Sequence, residues 1–365
     1  TVMGKVYSMT TNYLDSKRIS VTGIGALDGV GGWKELGRTT LGSSGDDIDI
    51  SSLADKRYYM VLCSDLPTGN TQWYPRLGNG SFDTSNNYAT RESYNGATDG
   101  ANANQPSIRW NTSITTSYTN PKFGVGYISN LATKEKLTMF HGVAQQSAGA
   151  GTSPYRAEVV SKWTNTSNVM DMFRLHNIES GSFNTGSEVV VLGWDPADTH
   201  TTNFWEELGT FTNGTTTTDL TITSKKYLWI QGYTKGNGDG TGWRPAIKVG
   251  NTTISSADYA NRESINGGAD GTYTSQGNMP MTSGGDTVGT FFNVFIINNA
   301  SNEKLAMGWS VNSSVAGAAT APIRQEFVHK WAQTSSQIDK LQVHRAVGSD
   351  SGLDADTIVK CWGSN

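Results

Sequence analysis

The sequence is poor in charge and has no long apolar run. Of its 365 residues, 16% are charged, against roughly 25% in an average soluble domain. The net charge of -4 and the scattered Lys and Arg residues give no basic footprint for nucleic acid. No stretch of about 18 consecutive apolar residues occurs, which excludes a transmembrane helix. We therefore expect neither nucleic acid nor a membrane among the partners.

Cysteine is almost absent. The only two, Cys63 and Cys361, lie far apart in the chain. They form neither a disulfide framework nor a CxxC metal-binding pair. Because a free cysteine usually packs like an apolar residue, we expect two buried thiols in strands. A bridge between the two is the alternative.

Helical patterning is also missing, since no segment of about twelve residues carries an apolar stripe with a 3.6-residue period. The chain has instead 42 glycines and abundant Thr, Ser and Asn, which favour short strands joined by tight turns. Residues 156–163 alternate, with Val159 and Trp163 on one face and Glu158 and Lys162 on the other. This two-residue period is typical of strands with one buried face.

The chain contains one module in two copies. Several short motifs recur in the same order, with spacings that drift by only a few residues. They occupy residues 33–37 and 205–209, 56–58 and 225–227, 88–96 and 259–267, 135–137 and 303–305, 162–163 and 330–331, and 193–194 and 361–362. A unit of this length can bury its own core, so the pattern indicates a tandem duplication and not a short-period solenoid.

The motifs define the predicted domain organisation. Residues 33–194 and 205–365 are the first and second β-sandwich modules, and residues 195–204 are a short polar linker that begins with Asp-Pro. Residues 1–32 have no counterpart in the second copy and are interpreted as an N-terminal arm. The predicted fold is all-β, with two tandem antiparallel β-sandwich domains of jelly-roll-like type.

The motifs give little support to catalysis. The five histidines have no partner at metal-ligand spacing. No nucleophile elbow, phosphate-binding loop or dinucleotide-binding motif occurs. Glu92 and Glu263 recur, each preceded by Arg, and a pair of carboxylates could serve a glycosidase. We expect structural ion pairs at these two positions, and hence a protein with no catalytic residue, no cofactor and no metal.

Tryptophan is common, with 11 residues, and exposed aromatic rings can stack on sugars. Those that recur in alternating strands are expected in the core: Trp33 and Trp205, Trp163 and Trp331, and Trp194 and Trp362. Trp73 and its match Trp243 follow a variable turn, and Trp110 has no tryptophan counterpart. These three are the candidate surface or glycan contacts.

Parts of the module are similar to a known family. They are Tyr88, Arg91 and Asn95-Gly96, then residues 123–136 with Phe-Gly-Val-Gly-Tyr-Ile-Ser-Asn-Leu, then residues 180–194 with Ser-Gly-Ser-Phe-Asn-Thr-Gly-Ser-Glu. Together they resemble a β-sandwich module of tail-fibre and other virion proteins of tailed bacteriophages. Both copies follow this pattern, so the resemblance covers most of the chain. The family has no shared catalytic residues to carry over.

The resemblance implies a non-enzymatic virion structural protein, either a capsid decoration protein or a tail-fibre-like appendage. Its role would be particle assembly or attachment to the host surface, and its location the surface of the particle. This hypothesis predicts other virion proteins as partners and a homo-oligomer such as a trimer, with host-surface glycans as further ligands. A secreted or cell-surface carbohydrate-binding protein is the alternative, and a glycoside hydrolase is the third.

Overall fold

The computed structural model describes residues 32–110, 119–196, 198, 203–212, 219–236, 244–281, 288–345 and 353–365. The predicted N-terminal arm, apart from Gly32, lies outside these ranges, as does part of the predicted linker. Within these ranges no helix is long and apolar enough to cross a membrane.

The regular secondary structure of the described residues consists of strands alone. The strands of the first copy are β1 (Lys34–Thr40), β2 (Asp47–Ile50), β3 (Tyr58–Asp65), β4 (Arg76–Gly78), β5 (Tyr88–Tyr94), β6 (Gly100–Gln105), β7 (Lys122–Ser129), β8 (Lys136–Ala144), β9 (Tyr155–Trp163), β10 (Met172–His176) and β11 (Glu188–Trp194). Those of the second copy are β12 (Glu206–Thr212), β13 (Asp219–Thr221), β14 (Tyr227–Thr234), β15 (Pro245–Asn251), β16 (Thr253–Ile254), β17 (Tyr259–Ile265), β18 (Gly271–Gln276), β19 (Met279–Pro280), β20 (Thr290–Ile297), β21 (Lys304–Asn312), β22 (Ile323–Trp331), β23 (Lys340–Arg345) and β24 (Ile358–Ser364). The prediction of an all-β, antiparallel fold is confirmed.

Each copy holds one large and one small sheet. In module 1 (residues 33–194) the large sheet has the order β1-β11-β3-β7-β8-β9-β5-β6 and the small one β2-β10-β4. In module 2 (residues 205–365) the orders are β12-β24-β14-β20-β21-β22-β17-β18 and β13-β23-β15-β16, with β19 beside β15. The large sheets therefore correspond strand for strand, for example β8 with β21 and β9 with β22.

The core of each module lies between its two sheets. In module 1, Val61 and Val159 of the large sheet belong to one buried cluster with Phe173 of the small sheet. Alternation along the strands places these side chains on the inner face. Cys63 and Cys361 are also buried here and are free thiols, as predicted. Burial raises the pKa of both thiols.

A further apolar core joins the modules, because their large sheets face each other through their outer faces. Its members include Met60, Leu62, Phe123, Val125 and Val143 of module 1, and Phe295, Leu305, Met307, Val328 and Trp362 of module 2. Face-to-face packing of sheets buries the alternate side chains that one isolated sandwich would turn to solvent. How far each outer face is covered therefore decides which surface remains for binding.

Candidate functional site

Trp73 and Trp110 lie in the core of module 1, so the prediction that their rings are exposed is wrong. Both side chains are fully buried. The Trp73 Nε1–H donates to Oδ2 of Asp65 at 3.1 Å, and the Trp110 ring stacks on Phe140 with centroids 4.6 Å apart. Neither ring can reach a glycan in this arrangement. Trp243 lies outside the described residues.

Two glycines of β7 make room for these buried rings. A Cβ atom on Gly126 would come within 2.5 Å of the Trp110 ring, and one on Gly124 within 2.3 Å of the Phe140 ring. Module 2 carries Val and Phe at the corresponding positions of β20. In module 2 these larger side chains fill the space themselves. In module 1 the glycines leave the space open, and the rings of Trp110 and Phe140 fill it.

The carboxylates Glu92 and Glu263 form the ion pairs that the sequence predicts. An oxygen of Glu92 lies 3.7 Å from Nη1 of Arg109, and one of Glu263 lies 3.0 Å from Nη2 of Arg244. Both carboxylates are buried, so their arginines compensate charges that burial would otherwise penalise. In the described part of the chain, no group of three or more His, Cys, Asp or Glu could hold a metal ion.

A groove of about 960 Å³ runs over the outer face of the large sheet of module 1. Its floor is apolar, and the side chains of Leu137, Met139 and Val160 are 57%, 60% and 50% exposed. Met139 of β8 and Val160 of β9 are directly opposite each other in the ladder. Because alternate residues of a strand share a face, Leu137 and Met139 point the same way. Adjacent exposed apolar side chains of this size are typical of a binding surface.

Four aromatic rings line one end of the groove. Trp194 stacks on Tyr58 with ring centroids 5.6 Å apart. Trp33 lies 6.5 Å from Trp194 and 6.3 Å from Tyr127, measured between ring centroids. The sequence predicts Trp33 and Trp194 in the core, but both are partly exposed.

The strand register also corrects the repeat at this point. Trp194 lies opposite Tyr58, whereas the residue opposite Tyr227 is Ser364. Because Tyr58 and Tyr227 occupy the same position of a repeated motif, Trp194 corresponds to Ser364. The predicted match of Trp194 with Trp362 is therefore wrong by two residues. Trp194 of the groove therefore has no tryptophan counterpart in module 2.

The rim of the groove carries paired charges of both signs. Lys162 Nζ lies 3.0 Å from Oε2 of Glu135, and Arg91 Nη1 lies 3.8 Å from Oδ2 of Asp99. All four side chains are exposed. An apolar floor, an aromatic end and a rim of mixed charge suit a ligand surface that is apolar at its centre and carries both charges at its edge.

The groove continues into a second cavity of about 450 Å³, at the edge of module 2. Here His141 of module 1 meets Trp309 of module 2, with ring centroids 4.5 Å apart. Burial, and then the nearby Arg156 guanidinium, hold the pKa of His141 well below its ordinary value. The imidazole is therefore neutral near pH 7. Module 2 forms the wall at which the exposed part of the outer face ends.

Comparison with known proteins adds little. No family model matches the chain, and no curated protein matches it. Among solved structures it is similar to domains LG4-5 of the mouse laminin alpha1 chain, with 10% identity, a TM-score of 0.21 and coverage of 89% of this chain and 88% of that one. It is also similar to the LG1-3 region of the laminin alpha2 chain, with 7% identity, a TM-score of 0.21 and coverage of 87% and 64%. TM-scores this low support no conclusion about fold or function. The fold and the candidate site are therefore defined by the sheets and contacts described above.

Proposed function

We propose that the protein is a non-enzymatic structural component of a bacteriophage particle, a capsid decoration protein or a tail-fibre-like appendage. It resides on the particle surface and serves in particle assembly and in attachment to the host. Other virion proteins and further copies of the chain are its partners. The virion setting of this proposal comes from the resemblance of the motifs at 88–96, 123–136 and 180–194.

The observation that carries a binding function is the exposed apolar floor of the groove. The largest contiguous apolar patch on a soluble protein is often a functional surface. Because Leu137, Met139 and Val160 are already about half buried, their complete burial by a partner would contribute roughly 0.8–1.5 kcal/mol each. The ionisable groups nearest to this floor, such as Lys162 and Glu135, bind each other and do not converge on a reacting centre. This arrangement supports holding a surface more than transforming a substrate.

Electron microscopy of purified particles tests the proposal. Particles of the phage that encodes the chain would be labelled with an antibody against it and imaged. We expect the label at regular positions and a constant copy number per particle through a density gradient. A chain that occurs only as free protein in the lysate, and never on particles, contradicts the proposal.

A second candidate function is carbohydrate binding, which the aromatic end of the groove favours. The stacked rings of Tyr58 and Trp194 present faces of the kind that pack on sugar rings. On a glycan array, this function predicts binding that W194A abolishes and that I178A, a change at another exposed apolar residue, leaves intact. Absence of binding to any glycan, or binding that survives W194A, contradicts it.

A further inference from the structure

The same patch of residues is exposed in module 1 and buried in module 2. We call it the receiving half: Tyr58, Glu135, Leu137, Met139, Val160 and Lys162 in module 1, and Tyr227, Glu303, Leu305, Met307, Val328 and Lys330 in module 2. Each residue of one set has the same type as its counterpart. Leu305 and Met307 are 1% and 0% exposed, whereas Leu137 and Met139 are more than half exposed. These six positions therefore carry the same side chains in both modules, and they differ in whether a partner covers them.

Module 1 covers the receiving half of module 2 with the opposite end of its own outer face. We call this end the docking half. In module 1 it consists of loop 145–154 and of three residues that lie side by side on adjacent strands, Phe123, Val143 and Arg156. In module 2 it consists of loop 313–322 and of Phe291, Val311 and Arg324. The Phe123 and Tyr227 rings lie 6.2 Å apart. Val143 belongs to one buried cluster with Leu305 and Met307.

Loop 145–154 adds polar contacts to this interface. The Lys330 ammonium donates to the carbonyl oxygen of Gln145 at 3.2 Å, and the N–H of Gly149 donates to the Glu303 carboxylate. Lys330 and Glu303 are buried here, with Nζ and Oε2 3.7 Å apart. The loop thus hydrogen-bonds both members of a charged pair that the apolar contact removes from water.

An ion pair closes the edge of the interface. Arg156 Nη2 lies 2.7 Å from Oδ1 of Asp270, and both side chains are buried. Oδ2 of Asp270 also lies 3.8 Å from Nη1 of Arg262, in its own module. The counterpart in module 1 is the pair Arg91 and Asp99, at the same 3.8 Å but exposed. Asp99 of module 1 therefore occupies the position of Asp270, but among the described residues no arginine of the other module pairs with it.

The docking half of module 2 is exposed and complementary to that acceptor. Phe291 and Val311 are each 41% exposed, whereas Phe123 and Val143 are buried. The Arg324 side chain, the counterpart of the arginine that closes the existing interface, is 63% exposed. Within the described part of the chain, the docking half of module 2 and the receiving half of module 1 thus remain uncovered.

Loop 313–322 already has the backbone form of the docked loop. The two loops have the same length. The second and fifth residues have positive φ in both, 68° and 83° in loop 145–154, and 61° and 91° in loop 313–322. The N–H of the third residue donates to the carbonyl of the first, at 3.0 Å in the former and 2.6 Å in the latter. Preorganisation of this kind lowers the entropy lost on association.

We propose that the docking half of module 2 binds the receiving half of module 1 in a second copy of the chain. This contact repeats between molecules the interface that joins the modules within one. Arg324 then pairs with Asp99 of the second copy, and loop 313–322 reaches Lys162 of the second copy. The contact is heterologous, so it closes into a ring or continues as a filament. The inference deepens the proposed function and rests on it, since a particle protein of this kind must contact further copies.

Sedimentation velocity of the full chain over a range of concentrations tests this contact. We expect oligomers that grow with concentration. M139D in the receiving half and F291D in the docking half should each raise the apparent dissociation constant at least tenfold. I178D, which also places a charge at an exposed apolar position, is the matched control and should leave the association unchanged. Because all three positions are exposed, the variants keep their cores, and circular dichroism checks this.

Mixing the two variants gives the sharper result. The M139D chain keeps its docking half and the F291D chain keeps its receiving half, so an equimolar mixture should form a one-to-one dimer that does not grow further. One variant is labelled with nitrogen-15, and the mixture is cross-linked with a reagent that reacts with lysine at one end and carries a photoactivated diazirine at the other, because loop 313–322 has no lysine. Mass spectrometry then identifies the contacts between chains. The cross-links should join loop 313–322 of the M139D chain to the region of Lys162 in the F291D chain.

Three results would overturn the inference. The first is a wild-type chain that stays monomeric at all concentrations. The second is a set of cross-links between these two halves that form only within one chain. The third is a monomer whose receiving half binds a glycan instead. A chain found on particles but monomeric in solution and on the particle would reject this contact and leave the proposed function standing. A chain that assembles as described but is absent from particles would reject the proposed function alone.

Discussion

At the residue scale, Gly126 decides where the Trp110 ring can lie. The run 123–126, Phe-Gly-Val-Gly, places both glycines on one face of β7, and that face is the inner one. An inner face without side chains needs a large neighbour to fill it, because protein interiors are close-packed. This signal was available in the sequence and argues for a buried Trp110, whereas the lack of a tryptophan counterpart in module 2 pointed to the surface.

Alanine at Gly126 should therefore destabilise the protein. The added Cβ would lie 2.5 Å from Trp110, and overpacking of a filled core costs about 1–3 kcal/mol. The matched control is G42A, since nothing lies within 4 Å of a Cβ at Gly42. Urea unfolding should show a lower midpoint for G126A and a change within about 0.5 kcal/mol for G42A. Equal midpoints would contradict the placement of the ring.

Buried His329 makes stability depend on pH. Its Nδ1 lies 2.8 Å from Oδ1 of Asn261, and burial lowers the pKa of His329 to about 3. In the unfolded chain the His329 side chain has an ordinary pKa of about 6.5. Between about pH 3 and 6.5, the unfolded state therefore binds a proton at this residue more readily than the folded state does. Stability therefore falls as the pH falls from about 6.5 towards 3, by about 2 kcal/mol at about pH 5.

The variant H329S isolates this contribution. Ser is the residue at the equivalent position of module 1, Ser161. Thermal unfolding from about pH 7 to 4 should show a shallower loss of the free energy of unfolding in H329S than in the wild type, whatever the stability of each at neutral pH. A slope that is the same in both proteins would show that His329 is not buried as a neutral ring.

At the scale of elements, two-residue alternation predicts the strands and their inner faces well. Val159 and Trp163 of β9 are buried in the core of module 1, as the pattern indicates. The same pattern assigns Lys162 and its counterpart Lys330 to an outer, polar face. Lys330 is nevertheless buried, because loop 145–154 of the other module lies on it. Alternation specifies a face of a strand but carries no information on what covers that face.

This difference gives a paired test at equivalent positions. In K330M, the Glu303 carboxylate loses its ammonium partner in a buried site, a change that costs about 3–5 kcal/mol. In K162M, the exposed pair with Glu135 is lost, and such pairs contribute about 0–1 kcal/mol. Urea unfolding should therefore show a large loss for K330M and a small one for K162M. Losses of equal size would mean that the two modules do not pack through this interface.

At the scale of the whole molecule, the repeat and the all-β fold follow from the sequence, but the asymmetry between the copies does not. The receiving half has the same residue types in both modules, so these six residues do not tell the exposed copy from the buried one. The difference arises because module 1 docks with one end of its outer face and leaves the other end free. That placement depends on contacts between residues far apart in the chain, such as Arg156 and Asp270.

Oxidation of two equivalent methionines tests this asymmetry most directly. Met139 is 60% exposed and Met307 is fully buried, and exposed methionine is converted to the sulfoxide by dilute peroxide. In a dilute sample, peptide mass spectrometry should show Met139 oxidised at least tenfold faster than Met307, with Met307 reacting only after unfolding. Equal rates for the two side chains, or faster oxidation of Met307, would contradict the account that one module covers the receiving half of the other and leaves its own uncovered.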